Sequence, residues 1–333
     1  MSALLEVLQL RKHFPIRGGL LNRQTATVHA VDDISFTVEA GETLGVVGES
    51  GCGKSTTARL AMHLITPDEG TIVFDGRTVG SSQMPLRELR RQMQMVFQDS
   101  FASLNPRLTI EESIAFGPQV HGTPKAEARE RARDLLAKVG LNPAQFIRRY
   151  PHELSGGQRQ RVNIARALAL HPRLVILDES VSALDKSVQA QVLNLLADLK
   201  EEFGLTYLFI SHDLHVVQYM SDRVMVMYLG RVAEVGPVRA LYENPLHPYT
   251  RGLLSAMPSL DPDQRTSAAP LIGDPPNPIN PPSGCRFRTR CPHAEAVCAE
   301  KEPVLAAVGT NRLAACHMVM PGSGHSKATE AAT

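Results

Sequence analysis

The residues best suited to chemistry begin with a glycine-rich octapeptide at positions 48–55. Its sequence, Gly-Glu-Ser-Gly-Cys-Gly-Lys-Ser, fits the phosphate-loop pattern G-x-x-x-x-G-K-S/T. Glycines allow backbone N–H groups to wrap a phosphate chain, the Lys54 ammonium reaches the β- and γ-phosphates, and Ser55 ligates Mg²⁺. We predict that the nucleotide is bound here by Gly48, Glu49, Ser50, Gly51, Cys52, Gly53, Lys54, Ser55 and Thr56.

Two adjacent carboxylates follow an apolar run later in the chain. The run at 174–178 reads as a buried strand that ends in Asp178, the expected second magnesium anchor of a phosphate-loop ATPase. Glu179 comes next, at the carboxyl end of the strand, where the active sites of open α/β sheets gather. We predict that Asp178 helps to hold Mg²⁺ and that Glu179 is the general base for the attacking water; the alternative for Glu179 is a merely exposed acid.

A second anion site is predicted at residues 154–158, which read Leu-Ser-Gly-Gly-Gln. A serine and two glycines directly before a helix, predicted at 158–170, offer a hydroxyl, free backbone N–H groups and the positive end of the helix. The residues of this site are Ser155, Gly156, Gly157 and Gln158.

An α/β framework is needed to position these groups. Short apolar runs alternate with amphipathic stretches as far as Gly236, which is typical of a parallel sheet covered by helices. The charges of the segment at 125–139 fit a solvated helix face. The pattern predicts strands at 43–47, 174–177 and 206–210 and helices at 54–65, 125–139 and 188–203.

The composition changes after Gly236, because prolines become frequent and helical periodicity fades. We predict one large α/β domain at 1–259 and a small C-terminal module at 260–321, which begins with an extended connector up to residue 282. The small, polar residues 322–333 are predicted to be disordered.

Charge and hydropathy exclude several classes of protein. Lys and Arg total 35 and Asp and Glu total 34, so no strong basic field favours nucleic acid as a partner. The longest apolar runs, such as 224–229, are far too short to span a bilayer, and residues 1–13 do not resemble a signal peptide. We therefore expect a cytosolic chain that reaches a membrane only through partners.

Four cysteines crowd into the C-terminal region with the spacing C-x5-C-x6-C-x17-C: Cys285, Cys291, Cys298 and Cys316. In a reducing compartment such a cluster indicates a metal site, but this spacing fits neither a familiar zinc ribbon nor a bacterial ferredoxin. His293 and His317 are alternative ligands, or simply solvent-exposed histidines. Cys52 stands apart in the phosphate loop, where it is either a small tolerated side chain or a redox-sensitive thiol.

Further motifs complete a resemblance to the ATPase subunits of ABC transporters. They are Gln98 within Val-Phe-Gln-Asp, Asp185 within Ser-Ala-Leu-Asp, and His212 within Ile-Ser-His-Asp. Together with the phosphate loop, the site at 154–158 and Asp178-Glu179, these motifs follow the order of that family over residues 1–236. The resemblance implies a RecA-like core, a helical signature subdomain and an antiparallel β subdomain.

The same resemblance assigns roles to single residues. Gln98 contacts Mg²⁺ and senses a membrane partner, His212 contacts the γ-phosphate, and Asp185 connects two sites across a dimer. Phe14 stands in the place of the aromatic residue that stacks on adenine; His13 and a role as a core aromatic are the alternatives. The chain departs from the family at Ser180, where proline is usual. Because Glu179 and His212 are both present, we expect a hydrolysis-competent set.

In this family ATP is sandwiched between the phosphate loop of one subunit and the 154–158 signature of another. The resemblance therefore implies a second ATPase subunit. Residues 97–107, 244–250 and 280–292 are similar to the ATPases of oligopeptide and dipeptide importers, most of all to the F-type subunit. That subunit pairs with a D-type ATPase and two transmembrane permeases, and an extracytoplasmic binding protein delivers the peptide.

This resemblance also bears on cargo and on the cysteines. Nickel and glutathione importers share much of the pattern and remain alternatives for the cargo. Some peptide-importer ATPases carry a 4Fe-4S cluster in this tail, which favours a cluster at the four cysteines over Zn²⁺. The chain would lie peripherally on the cytoplasmic face of the plasma membrane.

Two other classes of function compete with an importer motor. Soluble ABC ATPases that act on DNA or ribosomes usually have two cassettes or long inserted arms, and this sequence has neither. An iron-sulfur redox protein with a regulatory nucleotide domain would explain the cysteines but would leave Glu179, Gln158 and His212 without a use.

Overall fold

An eight-stranded sheet organises the fold, which a computed structural model describes for residues 3–18, 23–257, 271 and 273–328. The strand order is β11-β12-β10-β9-β3-β8-β7-β6. Strands β9, β3, β8, β7 and β6 are parallel neighbours, whereas β10, β12 and β11 add antiparallel pairs at one side. The strands are β3 (Thr43–Val47), β6 (Met93–Val96), β7 (Leu174–Asp178), β8 (Thr206–Ile210), β9 (Arg223–Tyr228), β10 (Arg231–Pro237), β11 (Ala306–Ala307) and β12 (Leu313–Ala314).

The three predicted strands β3, β7 and β8 are buried along their whole length. Successive side chains of a strand point to opposite faces, so each strand contributes side chains to two hydrophobic cores. In β7, Val175 and Leu177 pack into one hydrophobic cluster, while Leu174 and Ile176 pack into another on the other face. Burial on both faces explains why these strands appear in the sequence as continuous apolar runs.

A four-stranded antiparallel sheet, in the order β2-β1-β4-β5, lies against one of these cores. The resemblance implies an antiparallel β subdomain, but the bounds of its long strands are not evident in the sequence, because polar residues and several shifts in register interrupt their alternation. Leu5 and Ile34 pack there with Leu44 and Ile176 of the central sheet. The strands are β1 (Ala3–Gly18), β2 (Arg23–Glu39), β4 (Glu69–Phe74) and β5 (Arg77–Thr78).

Helices cover the central sheet, and three of them (α3, α4 and α6) pack together as a helical subdomain. Those three run Ile110–Val120, Lys125–Lys138 and Gly156–Leu168. The buried side chains of α4 are Ala128, Ala132, Leu135 and Leu136, so its charges form a solvated face as predicted. The remaining helices are α1 (Lys54–Ala61), α2 (Leu86–Gln92), α5 (Pro143–Phe146), α7 (Lys186–Phe203), α8 (Leu214–Met220), α9 (Val238–Glu243), α10 (Pro248–Ser255) and α11 (Ala296–Glu300).

The predicted helices exist, with changed ends. Helix α1 stops four residues before the predicted end, because His63 adopts a left-handed φ of 51°. Helix α6 begins at Gly156, two residues before the predicted start, and Ser155 caps it. Among helices in the described ranges, none has both the length and the apolar character that crossing a bilayer requires.

The C-terminal segment joins the central sheet, because β12 pairs with β10 through Glu234 and Ala314. About half of the predicted connector, residues 260–270 and 272, lies outside the described residues, and the domain boundary at 259 stays a prediction. The predicted disorder of residues 322–333 stays a prediction, and residues 322–328 belong to the described part of the chain. There His325 is buried and its Nε2 lies 2.8 Å from the carbonyl oxygen of His293. Residues 329–333 lie outside the described part of the chain.

Candidate functional site

The phosphate-loop segment connects β3 to α1, as the pattern requires. Gly48 and Gly53 have φ values of 149° and 107°. A Cβ atom on Gly48 would lie 2.2 Å from the carbonyl oxygen of Met227, and one on Gly53 would lie 2.3 Å from that of Ala30. No other residue type fits these two positions without moving the neighbouring backbone.

Lys54 is held inside the loop. Its Nζ donates hydrogen bonds to the carbonyl oxygens of Gly48 (2.7 Å) and Glu49 (3.1 Å). The ammonium therefore lies within the curve of the loop, where a phosphate chain would meet both it and the N–H groups at the start of α1. Thr56 is half-buried in the first turn of that helix.

The structure brings the predicted magnesium ligands together. Ser55 Oγ donates a hydrogen bond to Asp178 Oδ1 at 2.8 Å. Gln98 Nε2 donates to Oε2 of Glu179, the residue after Asp178, at 2.9 Å. A hydroxyl, an amide and carboxylates are oxygen ligands of the kind that Mg²⁺ prefers. The group therefore fits the ion, and the carboxyl end of β7 is the place where it would bind.

The charge balance of this site also fits a cation. Burial raises the pKa of Asp178 above its ordinary value, and the neighbouring charge of Glu179 adds to the rise against the hydrogen bond from Ser55. Two adjacent carboxyl groups at the end of a buried strand repel each other, and a bound cation relieves that repulsion.

Glu179 and His212 meet just beyond the ends of two paired strands. Asp178 of β7 pairs with Ile210 of β8, and the Glu179 N–H donates to the Ile210 carbonyl at 2.9 Å. Oε2 of Glu179 lies 3.4 Å from Nδ1 of His212. The Glu179 side chain is 18% exposed, so the alternative of a merely exposed acid does not describe it. Its φ of 48° is unusual for a residue with a side chain and is typical of functional sites.

The signature residues form the start of α6. Ser155 Oγ accepts a hydrogen bond from Gln158 N–H, and the Gln158 side chain accepts one from Ser155 N–H, which makes a capping box. Ser155 is exposed, so the positive end of a 13-residue helix faces solvent. This surface offers a hydroxyl and backbone donors to an anion, and the anion site itself stays a prediction.

Phe14 and Asp185, which the resemblance places at the adenine and across a dimer, are both exposed. Phe14 pairs with Val28 across the β1–β2 ladder, and Ala30, two residues along β2, contacts the phosphate loop at Gly53. The Phe14 ring is 37% exposed, so the alternative of a core aromatic is wrong. His13, the other alternative, contacts Asp32 instead, with its Nε2 3.3 Å from Oδ1. Asp185 is exposed at the start of α7, where its side chain makes no capping hydrogen bond.

Cys52 is a buried side chain of the loop, with 3% of its surface exposed. Burial raises the pKa of its thiol, because the thiolate is disfavoured away from water. This environment supports the prediction of a small tolerated side chain over that of a redox-sensitive thiol.

Sequence reasoning missed two residues that contact Glu49 from far along the chain. The Tyr249 hydroxyl accepts a hydrogen bond from the Glu49 N–H at 2.9 Å, so this N–H is already engaged. Arg290 donates to both carboxylate oxygens of Glu49, at 2.8 and 3.0 Å. A long separation in sequence leaves no periodic signal, and only the unusual density of arginines between Cys285 and Cys291 hinted at contacts there.

The four C-terminal cysteines line one small cavity. Burial raises the pKa of Cys285 to about 11 and that of Cys316 to about 12, and the neighbouring thiols add to both. His293 and His317 line the same cavity. His317 is buried, with Nε2 3.0 Å from the Lys301 carbonyl oxygen, so its prediction as a solvent-exposed histidine is wrong.

The cysteine sulfurs are not drawn together tightly. Within the described residues, the group of three ligand atoms that lie within 4.8 Å of one another is formed by His13, His29 and Asp32, not by cysteines. Asp32 is paired with Arg11, Arg231 and Arg286, which neutralise its charge and make that group unsuitable for a cation.

Comparisons with known proteins agree with this geometry. A sequence model of the family described as ABC transporter matches residues 31–182. A second model, described as the oligopeptide/dipeptide transporter C-terminal region, matches residues 233–298, which include three of the four tail cysteines.

Relatives match over nearly the whole chain. The protein is 52% identical over 324 residues to the probable peptide ABC transporter ATP-binding protein y4tS of Sinorhizobium fredii, with 97% of this chain and 92% of the relative covered. It is 51% identical over 322 residues to the oligopeptide transport ATP-binding protein AppF of Bacillus subtilis, with 95% of this chain and 98% of the relative covered.

Two solved structures share the fold. One is cbiO1 of Clostridium perfringens, part of the ABC transporter complex cbiONQ, at a TM-score of 0.63 and 28% identity over 73% of this chain and 92% of that one. The other is a dimeric ATP-binding cassette in a post-hydrolysis state with ADP and Pi. Its TM-score is 0.61, with 27% identity over 71% of this chain and 99% of that one. With its phosphate loop, paired carboxylates and signature helix in the predicted places, the chain belongs to the family of ABC transporter ATP-binding proteins.

Proposed function

We propose that this chain is the ATP-hydrolysing motor subunit of an importer of dipeptides or oligopeptides. The observation that carries the proposal is the convergence of Ser55, Gln98, Asp178, Glu179 and His212 at the carboxyl edge of the central sheet. The names of the relatives point to peptide transport, and nickel and glutathione importers are the alternatives for the cargo.

The site residues divide the work of hydrolysis. Lys54 and the N–H groups of the loop hold the phosphates, and Phe14 offers an exposed ring for the adenine. Ser55, Asp178 and Gln98 would hold Mg²⁺, which would neutralise phosphate charge there. Glu179 takes the proton of the attacking water, and His212 beside it contacts the γ-phosphate.

The chain supplies half of each of two composite sites in this proposal. The exposed end of α6 at Ser155 belongs to the nucleotide of a second, homologous ATPase of the D-type, and the partner's signature completes the site at Lys54. Exposed Asp185 connects the two sites. Closure on ATP and release after hydrolysis then drive two transmembrane permeases, to which an extracytoplasmic binding protein delivers the peptide. The motor lies peripherally on the cytoplasmic face of the membrane and binds no nucleic acid.

A 4Fe-4S cluster at Cys285, Cys291, Cys298 and Cys316 is part of the proposal. A Cys₄ zinc site holds its sulfurs about 3.8 Å apart, since each Zn–S bond is about 2.3 Å. The cysteines line one cavity but do not form a group of sulfurs within 4.8 Å, which fits a larger centre better than Zn²⁺. The cluster would act as a structural staple for a segment with little core of its own.

Analysis of iron and sulfide after anaerobic purification tests the cluster. We expect four iron atoms and four sulfides per chain, and loss of both in a variant with two cysteines replaced by serine. One tightly bound zinc without iron would overturn it and would leave the ATPase proposal intact.

The motor function is tested by Glu179→Gln in the assembled complex. The amide cannot accept the proton of the water, so we expect hydrolysis and peptide uptake to be lost while ATP still binds. Glu201→Gln, the same change at an exposed carboxylate of α7, serves as a matched control. Hydrolysis that survives in Glu179→Gln would show that the assigned base is wrong. If peptide does not stimulate ATP hydrolysis by the complex but nickel or glutathione does, the assigned cargo is wrong.

A further inference from the structure

Glu49 is held from outside the phosphate loop by the C-terminal region. Arg290 NH1 lies 2.8 Å from Oε2 of Glu49 and NH2 lies 3.0 Å from Oε1, so the contact is bidentate. The Arg290 side chain is 6% exposed. Its hydrogen bonds to Glu49 are the main cause that raises the pKa of the Arg290 guanidinium. The Tyr249 hydroxyl accepts a hydrogen bond from the backbone N–H of Glu49. Both partners thus lie outside the segment that contacts phosphate.

We propose that Arg290 is a positioning residue of the phosphate loop, and that through Glu49 it sets the affinity of the loop for the nucleotide. This inference rests on the proposed ATP site, because it concerns the loop at 48–55. It gives the cysteine segment an indirect role in nucleotide binding, through the contact of Arg290 with Glu49.

The connection from Arg290 to the phosphates has one intermediate. The Glu49 carbonyl oxygen accepts a hydrogen bond from Lys54 Nζ at 3.1 Å. Arg290 fixes the side chain of Glu49 and Tyr249 fixes its N–H, so the carbonyl that orients Lys54 is fixed as well. Glycines on both sides of this stretch give the loop little stiffness of its own. An external brace at Glu49 therefore reduces the number of conformations in which Lys54 is misplaced.

Arg290 is itself rigidly mounted. The planar guanidinium matches a carboxylate in two-point contact, and such a pair in a water-poor setting is strong and directional. Phe287, three residues earlier, packs among Tyr228, His247 and Tyr249, with ring centroids 5.3, 5.8 and 5.4 Å away. Arg290 NH1 also lies 3.4 Å from the Tyr228 hydroxyl. The aromatic cluster and the arginine thus form one continuous support.

Cys285 and Cys291 bound this segment on both sides. Between them, Arg286 contacts Asp32 and the Leu229 carbonyl, Phe287 fills the aromatic cluster, and Arg290 contacts Glu49. All three anchors lie on the nucleotide-binding domain, so any change in the position of the two thiols shifts the brace. The cysteine cavity is therefore connected to the phosphate loop through the five residues between Cys285 and Cys291.

The affinity of the full-length chain for Mg·ATP tests whether Arg290 positions the phosphate loop. Measured by calorimetry in the Glu179→Gln background, Arg290→Met should weaken binding by about tenfold, a typical size for coupling between separate sites. Arg288→Met is the matched control: it removes an arginine of the same segment whose contacts go to the carbonyl and hydroxyl of Ser283 and not to the phosphate loop. We expect that control to bind Mg·ATP like the parent.

A double-mutant cycle distinguishes an effect transmitted through the Arg290–Glu49 contact from a general loss of structure. Glu49→Gln weakens the contact from the loop side, and we expect the double variant with Arg290→Met to bind no worse than the weaker single variant. Amide hydrogen exchange at residues 49–53 should rise in Arg290→Met. Wild-type affinity in Arg290→Met, or simple addition of the two effects, overturns the inference. A parent chain that does not bind Mg·ATP would instead overturn the ATP site itself.

Discussion

Ser55 Oγ lies 2.8 Å from Asp178 Oδ1, although the two residues are 123 positions apart in sequence. Ser55 belongs to the first turn of α1, and Asp178 ends β7, two strands away from β3 in the sheet. The distance between the two oxygens is that of a hydrogen bond, and a cation would enter between them by taking both as ligands. This pair therefore couples the phosphate loop to the strand that carries the general base.

Replacement of Ser55 by alanine should remove one ligand of the magnesium site. We expect Mg²⁺-dependent ATP affinity to fall by at least about tenfold, because even outer-shell partners of a metal are typically worth that much. Ser55→Thr is the control, since it retains the hydroxyl and the pattern allows either residue. Titration of ATP with and without Mg²⁺ measures the effect. An equal loss in both titrations would indicate damage to the loop and not to the metal site.

The two signature glycines should differ in their tolerance of a methyl group. A Cβ on Gly157 would lie 2.5 Å from Val188 Cγ1, whereas one on Gly156 would lie 3.7 Å from Leu184 Cδ2. We expect Gly157→Ala to cost about 1–3 kcal/mol of unfolding free energy, the usual effect of overpacking. Gly156→Ala should cost less. Chemical denaturation of the purified chain measures both.

A compensating variant sharpens this comparison. Val188→Ala removes the atom that Gly157→Ala would strike, so the double variant should regain the stability that the single one lost. If Gly157→Ala is already as stable as the parent, the helix start moves freely and the contact with α7 does not fix it.

The residues of the candidate nucleotide site could be grouped from the sequence because they lie at strand ends and helix starts. Asp178 and His212 come within two residues of the ends of β7 and β8, and Lys54 opens α1. In a parallel sheet those ends share one edge, so local pattern and fold class together place the side chains. The same reasoning recovered Ser155, because a capping residue is defined by its own helix.

The contacts that the sequence did not reveal are those between distant segments without a repeating pattern. Arg290 and Glu49 are 241 positions apart, and neither residue type at either position demands the other. The resemblance implies an antiparallel β subdomain, but the bounds of β1 and β2 could not be predicted, because polar residues such as Lys12 and His13 interrupt their alternation. The burial of His325 was missed because it depends on a cavity that only the folded C-terminal segment creates.

Cys52 should react slowly with thiol reagents in the folded chain. Its side chain is 3% exposed and its pKa is raised by burial, so both access and the thiolate fraction are low. Mass spectrometry after timed exposure to iodoacetamide at pH 8 distinguishes this cysteine from the four in the tail. The urea-unfolded chain is the control and should be labelled rapidly at Cys52. Rapid labelling in the folded chain would restore the prediction of a redox-sensitive thiol.

Ser180, which stands where the family usually has proline, should be replaceable by alanine with a gain in stability. The residue is 4% exposed, and within the described part of the chain its buried hydroxyl has no hydrogen-bond partner. An unpaired buried hydroxyl costs free energy, so Ser180→Ala should raise the unfolding free energy by about 1 kcal/mol. Ser182→Ala is the matched control, because Ser182 Oγ donates to the Glu179 carbonyl at 2.9 Å. We expect that control to lose stability, as measured by the midpoint of chemical denaturation. A loss in both variants would mean that the Ser180 hydroxyl has a partner that stabilises the turn after Glu179.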